Sequence, residues 1–104
     1  MARHILLAFS GAVAGEGKAE ALEDWYAKVH LPEIAADPEV LSARRYKVLG
    51  GLPEGVTCPH VSIYEIETDD MDALNARMAE RLSPIHEALD RETTVNVLVV
   101  EGRQ

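Results

Sequence analysis

Cysteine, basic charge and long apolar runs are all scarce in this chain. The single cysteine, Cys58, has no partner for an internal disulfide, which excludes a disulfide-stabilised scaffold. No apolar run reaches the length needed to cross a bilayer. Ten Lys and Arg residues stand against 18 Asp and Glu, which gives a formal net charge of −8. We therefore predict no nucleic-acid and no membrane partner, and the composition is consistent with a cytoplasmic protein.

The sequence also lacks the common ligand-binding motifs. Its four histidines are spread over different segments, with no pair at metal-ligand spacing on one helix. The glycines of residues 11–17 form neither a dinucleotide fingerprint nor a Walker motif, and no serine or cysteine sits in a nucleophile motif. We predict no metal site and no cofactor.

What is present indicates one globular domain. Hydrophobic residues make up 47% of 104 residues, which excludes general disorder. This length predicts a single domain over residues 1–104. A domain this small buries only about two-thirds of its unfolded surface, so a partner chain would help to stabilise it.

The first apolar segment has two interpretations. His4–Phe9 is a nearly continuous apolar run, typical of a strand covered on both faces. One arginine before it and the run Ala12-Val13-Ala14 after it also resemble a short signal peptide. We favour the strand, because the remaining pattern needs it to complete a sheet.

The remaining segments alternate in a recognisable order. Periodicity and turn residues predict helices at 18–30 and 71–82, a short helical piece at 32–36, and strands at 40–48, 60–67 and 93–100. Asp69 and Asp70 are predicted to cap the second long helix. The order β-α-β-β-α-β predicts an α+β, ferredoxin-like fold: a four-stranded antiparallel sheet with both helices on one face.

The other face of such a sheet is left uncovered. In the third strand, Val61 and Ile63 lie on one side, and His60, Ser62 and Tyr64 on the other. We expect the valine and isoleucine to pack under the helices, so that His60 and Tyr64 line the uncovered face. Two such sheets facing each other in a dimer would protect that face.

The segment Asp24–Glu33 carries the strongest candidate site. Tyr26 and His30 are one helical turn apart and share a face. Pro32 predicts that the helix ends near His30 or Leu31, which would place His30 in the last turn, where the helix dipole favours a cation. A histidine there is a candidate general base, with Tyr26 orienting it or donating to a substrate oxygen. The alternative is that both residues are structural.

Strand two offers two arginines on opposite faces, Arg44 and Arg45, of which at most one can serve a pocket. A guanidinium there could bind a carboxylate or a phenolate, or form a salt bridge to one of the many acidic residues. Trp25 is either a ligand platform or a packing residue.

These residues resemble the EthD-like branch of the dimeric α+β barrel superfamily. The resemblance rests on Asp24-Trp25-Tyr26, on His30-Leu31-Pro32-Glu33, on the strand ending Arg44-Arg45-Tyr46, and on residues 61–67. It covers nearly the whole chain, although Glu39 stands where the pattern usually has glycine. It implies a homodimer with a small pocket in each subunit and a histidine at that pocket, matched by His30. The superfamily pattern favours Arg45 over Arg44.

The superfamily includes cofactor-free enzymes that act on small aromatic and polyketide-like molecules, and also many proteins without an assigned activity. From the residues and this resemblance, our hypothesis is a cofactor-independent enzyme acting on a small, largely apolar, oxygenated molecule of that type. Cyclisation, dehydration and isomerisation are the expected reactions, with His30 and Tyr26 as catalytic candidates. The candidate substrate-binding residues are Trp25, Arg45, Tyr46, His60 and Tyr64. A cofactor-free monooxygenase and a non-catalytic small-molecule-binding dimer remain alternatives.

Overall fold

The computed structural model describes residues 2–102; the predicted domain also includes residues 1, 103 and 104, which lie outside that range. The strands are β1 (Arg3–Phe9), β2 (Val40–Lys47), β3 (His60–Glu67) and β4 (Val95–Val100). The helices are α1 (Lys18–Trp25), α2 (Leu31–Ala35) and α3 (Met71–Arg81), and a π-helical turn (Tyr26–His30) joins α1 to α2. The predicted α+β, ferredoxin-like fold is confirmed.

The four strands form one antiparallel sheet in the order β2-β3-β1-β4. Strand β1 lies between β3 and β4, so the predicted first strand is confirmed and is central. Leu6 pairs with Tyr64 on one side and with Leu98 on the other. This central position explains why the run has apolar residues facing both sides of the sheet.

The helices cover the face that carries Tyr64 and Ile66. These two side chains form a buried cluster with Val40 and with Leu74 of α3, and Ile34 of α2 packs against it. The prediction that Val61 and Ile63 lie under the helices is therefore wrong. Alternation in a strand separates two faces but does not say which one is covered, and both faces of β3 carry large apolar residues.

The opposite side of the sheet is largely apolar, and no helix within residues 2–102 covers it. Phe9, Val61 and Cys58 are buried there, because the connection between β2 and β3 folds over that end of the sheet. The remainder, which we call the open sheet face, consists of Ile5, Leu7, Ile63, Val97 and Val99. Val97 and Val99 are 38% and 42% exposed.

We predicted that the helix carrying Tyr26 ends before Pro32, and this prediction is wrong. Leu31 has helical dihedrals (φ −63°, ψ −45°), and the helical path continues to Ala35. A proline ring within a helix clashes with the carbonyl four residues earlier and provides no N–H. The π-helical turn accommodates Pro32, with the backbone N–H of Leu31 donating to the carbonyl of Tyr26 five residues before.

Helix α3 begins as predicted. Asp70 is its N-cap, and the carboxylate accepts a hydrogen bond from the backbone N–H of Ala73 at 3.0 Å. Leu74 is fully buried against the sheet, while most other α3 residues face outward. None of the helices within residues 2–102 is long and apolar enough to span a membrane.

Candidate functional site

A cavity of about 320 Å³ lies between the helix-covered face of the sheet and helices α2 and α3. Most of its wall is aliphatic, with Leu6, Ile34, Ile66 and Leu74 among the lining residues. Its polar wall includes Ser10, Tyr26, His30 and Tyr64, together with Asn75, Thr94 and Asn96. An apolar cavity with a few converging polar groups is the usual form of a small-molecule site.

His30 reaches the cavity from the π-helical turn. Its ring stacks on Trp25, with centroids 4.5 Å apart and an interplanar angle of 18°, and it meets the edge of Tyr26 at 5.4 Å. The Nδ1 atom of His30 is buried and has no hydrogen-bond partner among the described residues. The ring is thus held by stacking, while one nitrogen remains unpaired in a largely apolar setting.

The electrostatic setting of His30 differs from the predicted one. Because the helix continues to Ala35, His30 is not in a last turn, and the expected help from the helix dipole is absent. Burial instead lowers the pKa of His30 below its ordinary value of 6.5. Arg45 also lowers this pKa, and Glu33 opposes the shift. The imidazole is therefore neutral at pH 7, which is the form that accepts a proton.

Tyr26 is buried beside His30, and its hydroxyl faces the end of β1. Its Oη atom lies 2.6 Å from Oγ of Ser10, a hydrogen bond between two buried side chains. The guanidinium of Arg45 lies over the Tyr26 ring at 3.9 Å from the centroid, a cation–π contact. Ring and hydroxyl are therefore held in one orientation.

Arg45 faces the helices, and each of its five N–H donors is used. Nε and one N–H of Nη2 donate hydrogen bonds to the carboxylate of Glu23 at 2.9 Å each. The second N–H of Nη2 donates to the backbone carbonyl of Ser10 at 2.9 Å. Nη1 donates to Oγ of Ser10 at 2.8 Å and to Oγ of Ser62 at 3.0 Å. A guanidinium has five such donors, so none is left for a substrate carboxylate. The geometry assigns Arg45 to the support of the cavity wall rather than to direct substrate contact.

Tyr64 lies on β3 in the cavity wall. Burial raises the pKa of Tyr64 to about 12, which keeps its hydroxyl group protonated and so able to donate a hydrogen bond. The sequence argument named Tyr64 as a pocket residue but placed it on the uncovered face. It belongs to the helix-covered face, and the cavity lies inside one subunit.

Three other candidates do not line this cavity. Trp25 supports it from behind, because it packs against the cluster of Leu22 and Tyr26 and stacks on His30. Tyr46 is paired with Val61 and therefore projects from the opposite side of the sheet, where it is 44% exposed. His60 lines a separate depression of about 420 Å³ beside the loop at 11–15. We prefer the smaller cavity as the site because it contains the histidine and both tyrosines.

The sequence argument missed Ser10 and Glu23, which connect Arg45 to the cavity wall. A signal for Ser10 was present: it continues the alternation Leu6, Ala8, Ser10 and so places a hydroxyl on the cavity side. Glu23 precedes Tyr26 by one helical turn and shares its face. Both residues contact Arg45 only because of the order of strands in the sheet, and neither the strand alternation nor the helical spacing predicts that order.

No group of three His, Cys, Asp or Glu side chains within residues 2–102 is arranged as a set of metal ligands. The polar cavity residues are instead hydroxyl, amide and imidazole groups. These groups can donate or accept hydrogen bonds, and the imidazole can transfer a proton.

The strand order and the helix packing together define a ferredoxin-like α+β domain with an internal cavity. In comparisons with known proteins, no family model matches the chain, and no curated protein matches it significantly. Among solved structures, it is similar to a dimeric ferredoxin-like protein of unknown function from Thermobifida fusca. That match has a TM-score of 0.54 at 17% identity and covers 96% of this chain and 92% of the other. At this identity the likeness supports the fold.

Proposed function

We propose that the protein is a cofactor-independent enzyme that moves a proton on a small, largely apolar, oxygenated molecule of aromatic or polyketide-like type. His30 is the general base, and it stands where the resemblance to EthD-like proteins implies a pocket histidine. The observation that carries this proposal is the neutral imidazole in an apolar cavity, with an unpaired buried nitrogen and with Tyr26 and Tyr64 in the wall of the same cavity. Histidine is suited to this role because its pKa lies near the working pH.

The proposed reaction moves a proton and an electron pair within one substrate molecule and needs no other reactant. His30 takes a proton from a carbon next to a carbonyl, the C–H bond breaks, and its electron pair moves to the carbonyl oxygen as an enolate. Tyr26 and Tyr64 stabilise that oxygen by donating hydrogen bonds. In an isomerisation, the enolate re-forms the carbonyl and takes the proton back from His30 at a different carbon of the conjugated system. In a dehydration, the enolate re-forms the carbonyl, its electron pair makes a carbon–carbon double bond, the C–O bond of a hydroxyl on the next carbon breaks, and that oxygen takes the proton from His30 and leaves as water.

We propose further that two subunits pair through the open sheet face. Its exposed Val97 and Val99 form an apolar surface that would be unfavourable in water. A second copy would bury this surface by twofold pairing, as the resemblance to dimeric barrels implies. The cavity itself lies on the other side of the sheet, so each subunit would keep its own site.

The test is proton exchange on a simple ketone. We would incubate the protein with 2-tetralone in D₂O and follow loss of the α-proton signals by NMR. The wild-type protein should accelerate this exchange, and His30→Gln should remove most of the acceleration. His60→Gln is the matched control, because His60 lies outside the cavity. Equal rates for the wild-type protein and His30→Gln would disprove the general-base role.

A binding protein without catalysis is the second candidate. The mainly aliphatic wall favours it, since such a wall holds an apolar molecule whether or not a reaction follows. Saturable shifts of 2-tetralone signals without accelerated exchange would support binding alone.

A further inference from the structure

We infer that Ser10 and Arg45 fix the direction of the Tyr26 hydroxyl, so that its proton points into the cavity as the donor of an oxyanion site. This inference rests on the proposed function, and it narrows the ligand class to molecules that present a phenolate or enolate oxygen. Ser10 and Arg45 act through Tyr26 and are positioning residues.

The hydroxyl of Ser10 lies between Arg45 and Tyr26. Its Oγ accepts a hydrogen bond from Arg45 at 2.8 Å, and its remaining described contact is Oη of Tyr26 at 2.6 Å. Both residues are buried and both line the cavity, so the contact alone allows either hydroxyl to be the donor. An oxygen that already accepts from a cation has a more polarised O–H bond and is the better donor of the two. We therefore take Ser10 as the donor in this pair.

The direction of this bond determines what Tyr26 can do. If Ser10 donates to Oη, the phenolic proton of Tyr26 is not used by the serine and is free for a cavity ligand. If Tyr26 donates instead, the serine holds the tyrosine proton, and the serine proton is the one left for the cavity, since Ser10 also lines it. The hydrogen bond from Arg45 favours the first arrangement, because an oxygen that accepts from a cation becomes a better donor through its own O–H.

Arg45 also favours negative charge in the cavity. Its positive charge acts on cavity groups: it adds to the lowering of the His30 pKa by burial, and it partly offsets the rise that burial causes in the pKa of Tyr64. Its donors are saturated, so it contributes charge and orientation without contacting the ligand. An anionic oxygen bound by Tyr26 would gain from a charge-assisted hydrogen bond.

The experiment uses 4-nitrophenol, because its absorption spectrum reports whether the bound molecule is ionised. We expect bound 4-nitrophenol to ionise at lower pH than free 4-nitrophenol. Tyr26→Phe should weaken 4-nitrophenolate binding by about tenfold or more, as expected for losing a hydrogen bond to a charged group. Ser10→Ala should weaken it by about threefold to tenfold, because Tyr26 loses the contact that directs its proton.

The opposite hydrogen-bond direction predicts the opposite sign for Ser10→Ala. If Tyr26 donates to Ser10, removing the serine hydroxyl frees the tyrosine proton, and 4-nitrophenolate binds more tightly. Tighter binding by Ser10→Ala would overturn the inference, as would failure of the wild-type protein to bind 4-nitrophenol or to lower its pKa. Ser42→Ala is the matched control, because Ser42 lies on the opposite side of the sheet, paired with Glu65.

A further variant separates this inference from the proposed function. His30→Gln removes the base but leaves Ser10, Arg45 and Tyr26 in place. If it retains the shifted spectrum of 4-nitrophenol, the oxyanion site stands whether or not 2-tetralone exchange depends on His30. Rescue of 4-nitrophenolate binding by Ser10→Thr, which restores a hydroxyl, would support the role of the hydroxyl proton itself.

Discussion

Replacing Arg45 with methionine should destabilise the protein far more than the same change at Arg44. The Arg45 side chain is 10% exposed and makes five hydrogen bonds, two of them to the carboxylate of Glu23. Arg44 projects from the other side of the sheet and is exposed. The two neighbouring arginines therefore offer a matched comparison between a buried cation and an exposed one.

The expected loss in the free energy of unfolding follows from the acceptors that Arg45→Met leaves without a donor. Ser10 and Ser62 are 1% and 0% exposed, so water cannot easily replace the lost donors. Each unsatisfied buried acceptor costs about 1–3 kcal/mol. Glu23 is 33% exposed and can recover part of its solvation, so it adds less. We expect Arg45→Met to lower the free energy of unfolding by about 3–5 kcal/mol, in the range for breaking a buried ion pair.

The assay is urea unfolding followed by circular dichroism, with all variants at one protein concentration because the proposed dimerisation would make apparent stability depend on it. Arg44→Met should change the free energy of unfolding by less than about 0.5 kcal/mol. Arg45→Lys keeps the charge but lacks the planar fork of donors, so it should recover only part of the loss. A loss below about 1 kcal/mol for Arg45→Met would refute the conclusion that this network supports the cavity wall.

Three further predictions follow from pH and from the open sheet face. The hydrogen bonds from Arg77 hold the pKa of Asp37 below its usual range. The stability that this ion pair contributes is complete above the ordinary carboxyl pKa and is lost as pH falls through the lowered value. The free energy of unfolding of Asp37→Asn, measured in urea, should therefore depend less on pH below about 4 than that of the wild-type protein. Burial lowers the pKa of His30, so 2-tetralone exchange should rise with pH through a midpoint below 6.5; a midpoint above 7 would contradict a buried neutral base. Val97→Asp should weaken dimerisation by about tenfold or more in sedimentation experiments, whereas Leu98→Asp, on the other side of β4, should not; equal effects would exclude pairing through the open sheet face.

Local patterns predicted the elements of this fold well. The bounds of β3 and the N-cap of α3 match the structure, because alternation and capping act over a few neighbouring residues. The helix end at Pro32 was wrong because the rule for residues before proline assumes a regular helix. The π-helical turn changes the backbone path without any marker in the sequence.

The orientation of β3 was harder to predict, since it depends on which side the helices pack. Ile66, which shares the face of Tyr64, was the available sign that this face is buried. The same error placed Tyr64 on the uncovered face, whereas it lines the cavity under the helices. The role of Arg45 could not be read from its neighbours, because Ser10, Glu23 and Ser62 come from three separate elements.

The position of β1 between β3 and β4 has a consequence for how the chain reaches this fold. Pairing of Ala8 with Asn96 closes a loop that contains nearly every other element. The entropy cost of such a loop must be met before its contacts stabilise anything, so the last pairing of the sheet is expected to form late and slowly. During synthesis, β3 can protect one edge of β1 well before β4 has left the ribosome. The other edge of this very apolar strand stays open until then, and that interval is when the nascent chain is most exposed to wrong pairing with other chains.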